Sequence, residues 1–310
     1  MNLPEVKNPF TNAKVVKVNA DQGEYHRSTG GNRGQPDFIM SRSALMDFYE
    51  CPSRWIRGYT RKSTDATDWG TLIDCLALSP NEFHSRFSVE PGQYPDSKTG
   101  EKKPWNNNAN FCKDWTKAQG SKEIVSAKDM ALTDPALDRL FGDPLIKALL
   151  DCSDKQVLVM GEYQDKTTGL AVPFKALMDL VPAGDNSEYG DSIADLKTCR
   201  SANAGSWPKV VFEDGLHVQA ACYIDLHNAV TGEERNTFRH VLLENIPPFE
   251  PARRMLSAEF LEMGRATYIH ALRFYCQCLK DQKWPGYDEM ASECINGWAL
   301  TQPKAWMVQV

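Results

Sequence analysis

Three short β-rich runs in succession, residues 157–163, 171–181 and 192–197, constrain the fold more than any other feature of the chain. Each is dense in valine, leucine and other residues that suit a pleated, half-buried surface. Turn-forming text separates them, Lys166-Thr167-Thr168-Gly169 and Ala183-Gly184-Asp185-Asn186. Strands that follow one another across tight connections pair as an antiparallel meander. A helical pattern over 127–150 precedes them, with breaks expected near Pro135 and Pro144. A helix over 216–229 and a strand over 238–246 follow. The order helix, three strands, helix, strand predicts an α/β fold in which helices flank a mixed sheet.

The rest of the chain is arranged around that unit. Ser41 opens a helix in which Leu45, Phe48 and Tyr49 share a face, Cys51-Pro52 disturbs it, and Trp55 resumes it. A short helix is expected over 69–78 and a long last helix over 251–279, leading to a tail that contains Trp284, Trp298 and Trp306. Residues 1–37 mix Asn, Gly, Arg and Gln without a sustained period and read as a flexible arm. Residues 38–310 then form a single domain with its core over 128–250. Between 89 and 120 the text turns polar, with Pro95-Asp96-Ser97-Lys98-Thr99-Gly100 and Asn106-Asn107-Asn108, and reads as an insertion or mobile loop.

No apolar run reaches the roughly 18 residues that cross a bilayer, and the first residues lack the apolar stretch of a secretory signal. The cytoplasm is the expected address, and nine irregularly spaced cysteines fit reduced core thiols. A net charge of -6 excludes a uniformly basic surface, so contact with nucleic acid requires a local basic lining.

The chemistry concentrates where the second and third runs end. A strand period of two puts Asp195 and Lys197 on one face, and hairpin pairing would set Asp179 beside Asp195. Two carboxylates and an ammonium then converge. Carboxylate oxygens suit a hard cation such as Mg²⁺ or Mn²⁺, which neutralises phosphoryl charge and acidifies water. Lys197 would orient or deprotonate that water and stabilise developing charge. By itself Asp-x-Lys is a common tripeptide and equally describes a salt-bridged surface hairpin.

Five ordered segments carry a resemblance that covers residues 39–306: Ser41-Arg42-Ser43-Ala44-Leu45 with Cys51-Pro52, Gly70-Thr71-Leu72-Ile73-Asp74, Lys175 with Asp179, Asp195-Leu196-Lys197, and Gln219-Ala220-Ala221-Cys222-Tyr223. Together they resemble the RecB-like branch of the PD-(D/E)xK nucleases, and within it the RecE-type (exonuclease VIII-like) phage exonucleases. The resemblance implies a restriction-endonuclease-like fold with extra N-terminal helices. It also implies a Mg²⁺-dependent exonuclease that digests the 5′-ended strand of linear double-stranded DNA and leaves 3′ overhangs for recombination. Asp179, Asp195 and the Leu196 carbonyl match metal ligands, and Lys197 matches the catalytic lysine. Asp74 stands where many members carry a metal-binding histidine; it also reads as a polar residue of an amphipathic helix. Glu162 resembles an additional acid near the metal, or is a solvent-facing strand residue. Gln219 and Tyr223, four apart on one helix face, match residues that border the site, where Gln holds phosphate or water and Tyr packs on DNA; both also suit helix packing. Ser41, Ser43, Arg54 and Lys175 are candidates for phosphate contact, with Ser41 also reading as a helix cap and Arg54 as a surface charge. Relatives with an iron–sulfur cluster invite comparison with Cys51, Cys276, Cys278 and Cys294, but the closely spaced cysteine triplet is missing. Implied partners are double-stranded DNA ends, a single-strand-annealing recombination protein and further copies in a ring-shaped homo-oligomer, in the cytoplasm of a bacterial host carrying a phage or prophage. A RecB-like endonuclease, a single-strand nuclease and a catalytically dead DNA-binding protein remain as alternatives.

Overall fold

The computed structural model describes residues 8–62, 64–290 and, for the backbone, 308–309. The chain opens with β1 (Phe10–Lys17), α1 (Gln22–Arg27), β2 (Met40–Ser41), α2 (Arg42–Glu50), α3 (Pro52–Ile56) and α4 (Asp65–Leu78). Next come α5 (Phe83–Arg86), β3 (Phe87–Val89), β4 (Gln93–Pro95), β5 (Lys102–Pro104), α6 (Asn110–Ala118) and β6 (Glu123–Val125). Helices α7 (Ala127–Gly142) and α8 (Pro144–Asp151) lead into the meander β7 (Ser153–Gln164), β8 (Ala171–Pro182) and β9 (Ser192–Cys199). The order then runs α9 (Trp207–Glu213), α10 (Leu216–Thr231), β10 (Thr237–Glu244), β11 (Pro251–Leu256), α11 (Ala258–Asp281), α12 (Tyr287–Met290) and β12 (Val308–Gln309).

One mixed sheet organises these elements in the order β1-β7-β8-β9-β10-β11-β12, with β2 pairing on β8. The β9–β10 pair is parallel and its neighbours are antiparallel, as the intervening α10 crossover requires. Both faces are covered. On one, Leu45 and Phe48 of α2, Val218 and Ile224 of α10, and Phe260 and Leu272 of α11 pack on Val159, Phe174, Met178 and Ile193. On the other, Ile73 and Ala77 of α4, Leu140 of α7 and Ile146 of α8 pack on Leu180, Ala194 and Leu196. Each large apolar side chain fully withdrawn from water contributes about 1.5–3 kcal/mol, so the sheet is clamped from both sides. The two layers of helices on a mixed sheet are the predicted α/β class.

Local chemistry explains the element limits. Ser41 and Thr64 cap α2 and α4 by accepting from Ala44 N and Thr67 N. Helix α4 therefore starts one turn earlier than the apolar spacing over 69–78 suggests. Helix α10 starts after Gly215, which holds a left-handed φ of 63°, and a Cβ there would stand 3.3 Å from the Arg42 guanidinium.

Four expectations change. The described part of the expected arm over 1–37, residues 8–37, is not apart from the fold, since β1 forms the sheet edge on β7. Its alternation is weak because an edge strand has little to bury, and Lys14 and Lys17 discourage further pairing. Pro135 does not break α7; the carbonyl that loses its partner belongs to exposed Ala131, where water replaces it. Residues 251–256 are a strand rather than the first turns of the last helix, because they pair antiparallel with β10. The 89–120 segment holds the hairpin β4–β5 and helix α6 rather than an irregular loop.

Candidate active site

Strands β8 and β9 are partners only at Leu180 and Ala194. The next step of an antiparallel register would oppose Asp179 and Asp195, but there the strands part. Asp179 fills the fork: its Oδ2 accepts from Leu196 N at 3.0 Å and its Oδ1 from Gln156 Nε2 at 3.2 Å. One carboxylate thus replaces a rung of the sheet ladder and turns toward Asp195. Asp195, buried, accepts from Gln219 Nε2 of α10 at 2.7 Å on Oδ1. Its Oδ2 forms an ion pair with Lys197 Nζ at 2.5 Å. Lys197 Nζ also lies 3.5 Å from the Leu196 carbonyl oxygen.

The electrostatics follow from crowding like charges away from water. Burial, reinforced by Asp195 and Asp74, raises the Asp179 carboxyl well above the ordinary range, against the opposing pull of Lys197 and the Leu196 N–H. Burial likewise pushes Asp74 up to about 7, with Asp195 adding to the rise and Lys197 and Arg86 opposing it. For Lys197 burial works downward, yet the three carboxylates outweigh it and hold the ammonium above its usual value. Lys197 keeps 29% of its side-chain surface, which places its stem at the open end of the fork.

Helices supply the walls. Helix α4 brings Asp74 to the site because Ile73 and Ala77 are anchored on Leu196. Helix α10 brings Gln219 and Tyr223, both buried. Burial raises the Tyr223 phenol well above its ordinary value, with Tyr25, Asp195 and Asp179 adding to it, so the ring stays neutral. Behind Asp195, His240 of β10 lies in register with it, fully buried and with both ring nitrogens unpartnered. Burial holds this imidazole down at about 4, hence neutral at pH 7.

Asp179, Asp195, Lys197, Gln219, Leu196, Asp74 and Tyr223 therefore meet in one place. Glu162 does not. It lies half-buried on β7 opposite Pro173, accepting from Asn12 Nδ2 and Gln164 Nε2, about 20 Å along the strand from Gln156 at the usual rise per residue. The β7 residue at the site is Gln156, which takes a left-handed φ of 49° opposite Asp179 in an unshifted β7–β8 register and is held in turn by Gln22 Nε2 at 3.2 Å. Lys175 also turns elsewhere, since its Nζ donates to the carbonyls of Tyr25 at 2.5 Å and Ser28 at 2.8 Å. Desolvation lowers that lysine to about 8, and its work is to fasten the α1 segment to β8. Arg54 pairs with Glu50 at 2.8 Å and stacks on Tyr59, at the opposite end of α2 from Ser41 and so about 14 Å away along the helix. Ser41 is engaged as the α2 cap, and Ser43 is exposed beside it. The arginine within electrostatic reach of Asp195 and Tyr223 is Arg42, whose guanidinium donates to the Asp214 carbonyl just before α10. The sequence carried a signal for Arg42, its place in the first turn of a helix next to Ser41. It carried none for Gln156, whose position depends on the register of β7 with β8.

The donor set fits a hard divalent cation. Asp74 Oδ1 is buried without a hydrogen-bond donor, Asp195 Oδ2 has the Lys197 ammonium as its neighbour, and with the Asp179 carboxyl and the Leu196 carbonyl they offer only oxygen. Among the described residues no three His, Cys, Asp or Glu side chains form a ready cage; Lys197 lies among the carboxylates and supplies the positive charge they need. The described cysteines are free, with Cys51, Cys276 and Cys278 buried separately from any cluster, while Cys294, Trp298 and Trp306 lie outside the described residues. No described helix is long and apolar enough to cross a membrane.

Comparison with curated proteins finds no match. Among solved structures, a protein from Eubacterium rectale described as a "putative exonuclease" is similar at a TM-score of 0.54 and 15% identity, covering 92% of this chain and 95% of that one. At that identity the likeness speaks for the fold alone. A second structure, SSO0001, reaches a TM-score of only 0.26 at 15% identity, over 55% of this chain and 71% of the other, and carries no argument. Residues 41–296 match a family described as a PDDEXK-like domain of unknown function, DUF3799. The match spans the fork, α4 and α10 together, and the chain belongs to this PDDEXK-like family, with the restriction-endonuclease-like α/β fold that its sheet displays.

Proposed function

We propose that the chain is a Mg²⁺-dependent deoxyribonuclease, with Mn²⁺ a competent substitute, that digests the 5′-ended strand of linear duplex DNA and leaves 3′ overhangs. The observation that carries this reading is the fork in which Asp179, Asp195 and Lys197 converge, with Asp74 Oδ1 buried beside it without a donor. Asp179, Asp195, the Leu196 carbonyl and Asp74 would hold the cation, whose chemistry is to neutralise phosphoryl charge and acidify water. Lys197, an ammonium at neutral pH, orients the attacking water and stabilises charge on the phosphodiester rather than accepting a proton. Gln219 fixes Asp195, and Gln156 fixes Asp179. Tyr223 offers a neutral ring and Arg42 a guanidinium for the DNA strand at the mouth.

The 5′ polarity rests on the resemblance of the ordered motifs to RecE-type exonucleases, and the description of the Eubacterium rectale relative agrees with exonuclease action. The same resemblance supports a ring-shaped homo-oligomer, a single-strand-annealing partner, a phage or prophage setting in the bacterial cytoplasm, and residues 38–310 acting as one nuclease unit with its core over 128–250. A ring fits an acidic protein, since only the channel needs positive potential. The test is digestion of end-labelled linear, circular and single-stranded DNA in Mg²⁺, Ca²⁺ and chelator. Release of the 5′ label first, from linear duplex and only with Mg²⁺ or Mn²⁺, is expected; earlier loss of the 3′ label overturns the polarity, and cutting of circles overturns the exonuclease assignment.

A further inference from the structure

We propose that β4, β5 and α6 form a flap that grips the phosphate backbone of duplex DNA beside the cleavage site, an inference that rests on the nuclease reading above. Residues 91–122 carry six lysines and three acids, a net +3 within a chain of -6. Lys103 is tied to Asp96 at 2.5 Å, whereas Lys98, Lys102, Lys113 and Lys117 are exposed and have no ion pair among the described residues. On α6, Lys113 and Lys117 stand four apart and so share a face. A cluster of unpaired ammonium groups in an acidic protein has its complement in a polyanion.

The aromatic rings of the flap decide between duplex backbone and single-stranded bases. Tyr94 stacks on Phe111 at 6.3 Å, and Trp105 meets Trp115 edge-on at 5.3 Å with its Nε1 donating to Asn107 Oδ1. These rings pack on one another and hold the flap together, with Phe111 alone among them keeping a large open surface, 45%. Base binding needs open ring faces as stacking platforms, whereas phosphate binding needs only the lysines.

Placement ties the flap to the site. Its base is the parallel pair β3–β6, whose Phe87 and Val125 pack on Leu72 and Cys75 of α4, the residues that bracket Asp74. Arg86, one residue before β3, lies within electrostatic reach of the Asp74 carboxyl. A duplex with one strand in the fork therefore passes the base of the flap.

The test compares the wild-type protein with the triple variant Lys98→Ala/Lys113→Ala/Lys117→Ala, and with the corresponding triple arginine variant, in Ca²⁺. Binding of a labelled blunt duplex and of a single-stranded oligonucleotide is followed by anisotropy across a salt series. Each phosphate neutralised adds about 0.9 to the slope of log affinity against log salt, so the alanine variant should lose about 2–3 from the slope and at least about tenfold in duplex affinity, while the arginine variant keeps both. An unchanged slope and affinity in the alanine variant, with wild type binding duplex, overturns the flap and leaves the nuclease reading standing. A larger loss on single-stranded DNA overturns the commitment to duplex. A wild type that neither binds nor cuts DNA overturns both. Equal melting curves for all three proteins exclude a folding defect as the cause.

Discussion

Replacing Asp74 by Asn separates a metal-binding carboxylate from a structural one. Burial pushes this carboxyl up to about 7, and its Oδ1 lacks a donor. Between the ordinary carboxylate value and about 7, the metal-free folded protein keeps a proton that the unfolded chain has released, so stability falls as pH rises through that window and stays low above it. At 1.36 kcal/mol per pH unit the full displacement corresponds to about 4 kcal/mol. Partial exposure of the residue reduces the realised penalty to about 1–2 kcal/mol, the pull of Lys197 and Arg86 being already contained in the value of about 7. Asn keeps the shape and removes the charge. Urea unfolding in chelator at about pH 5 and about pH 8 should therefore show wild type losing about 1–2 kcal/mol more than Asp74→Asn between the two, with the variant the more stable at the higher pH. Added Mg²⁺ should stabilise wild type and have a much smaller effect on the variant, by mass action. A variant less stable than wild type at about pH 8 in chelator refutes the reasoning, because the carboxylate would then be a satisfied partner of Arg86 or Lys197.

Lys197→Ala should lower Mg²⁺-dependent cleavage by about 10²–10⁴-fold; because it also strips the buried carboxylates of their counter-charge, its melting temperature should drop in chelator and recover in Mg²⁺, and wild-type turnover would sink the catalytic assignment. Gln219→Leu removes the 2.7 Å bond to Asp195, and calorimetric Mn²⁺ titration should show affinity down about 10–100-fold; an unaltered titration would make Gln219 a packing residue. Gly264→Ala would put a Cβ 2.1 Å from the His217 carbonyl oxygen, where α11 crosses α10 backbone to backbone. It should cost about 1–3 kcal/mol in urea unfolding and reduce cleavage by displacing Gln219 two residues on; an unchanged midpoint would show that the helices slide apart freely.

What could be read from the sequence follows how far each interaction reaches along the chain. Asp195 and Lys197 share a strand and Asp179 lies on the one before it, so a period of two and a short connection suffice to bring them together. Gln219 and Tyr223 needed only helical spacing to share a face. Glu162 and Gln156 mark the limit: both lie on β7, and only the register with β8, which sets Gln156 opposite Asp179 and Glu162 opposite Pro173, selects which polar side chain meets Asp179. The pairing of β1 with β7 spans well over a hundred residues and leaves almost no local trace, as does the use of Lys175 as a clasp for the α1 segment.

Asp74 belongs to the long-range class even though its motif is local. The spacing Gly70 to Asp74 fixes a helix face, but the carboxylate reaches the fork only because Ile73 and Ala77 seat α4 on Leu196, the residue whose N–H Asp179 also holds. One strand position thus anchors two acids through opposite means, apolar contact on one side and a hydrogen bond on the other. Any change that shifts Leu196 should move both acids together, whereas a change at Asp74 leaves the Asp179 arrangement in place. The charges stay coupled even so: Asp74 also raises the Asp179 carboxyl, so Asp74→Asn should ease the metal-free penalty at both acids.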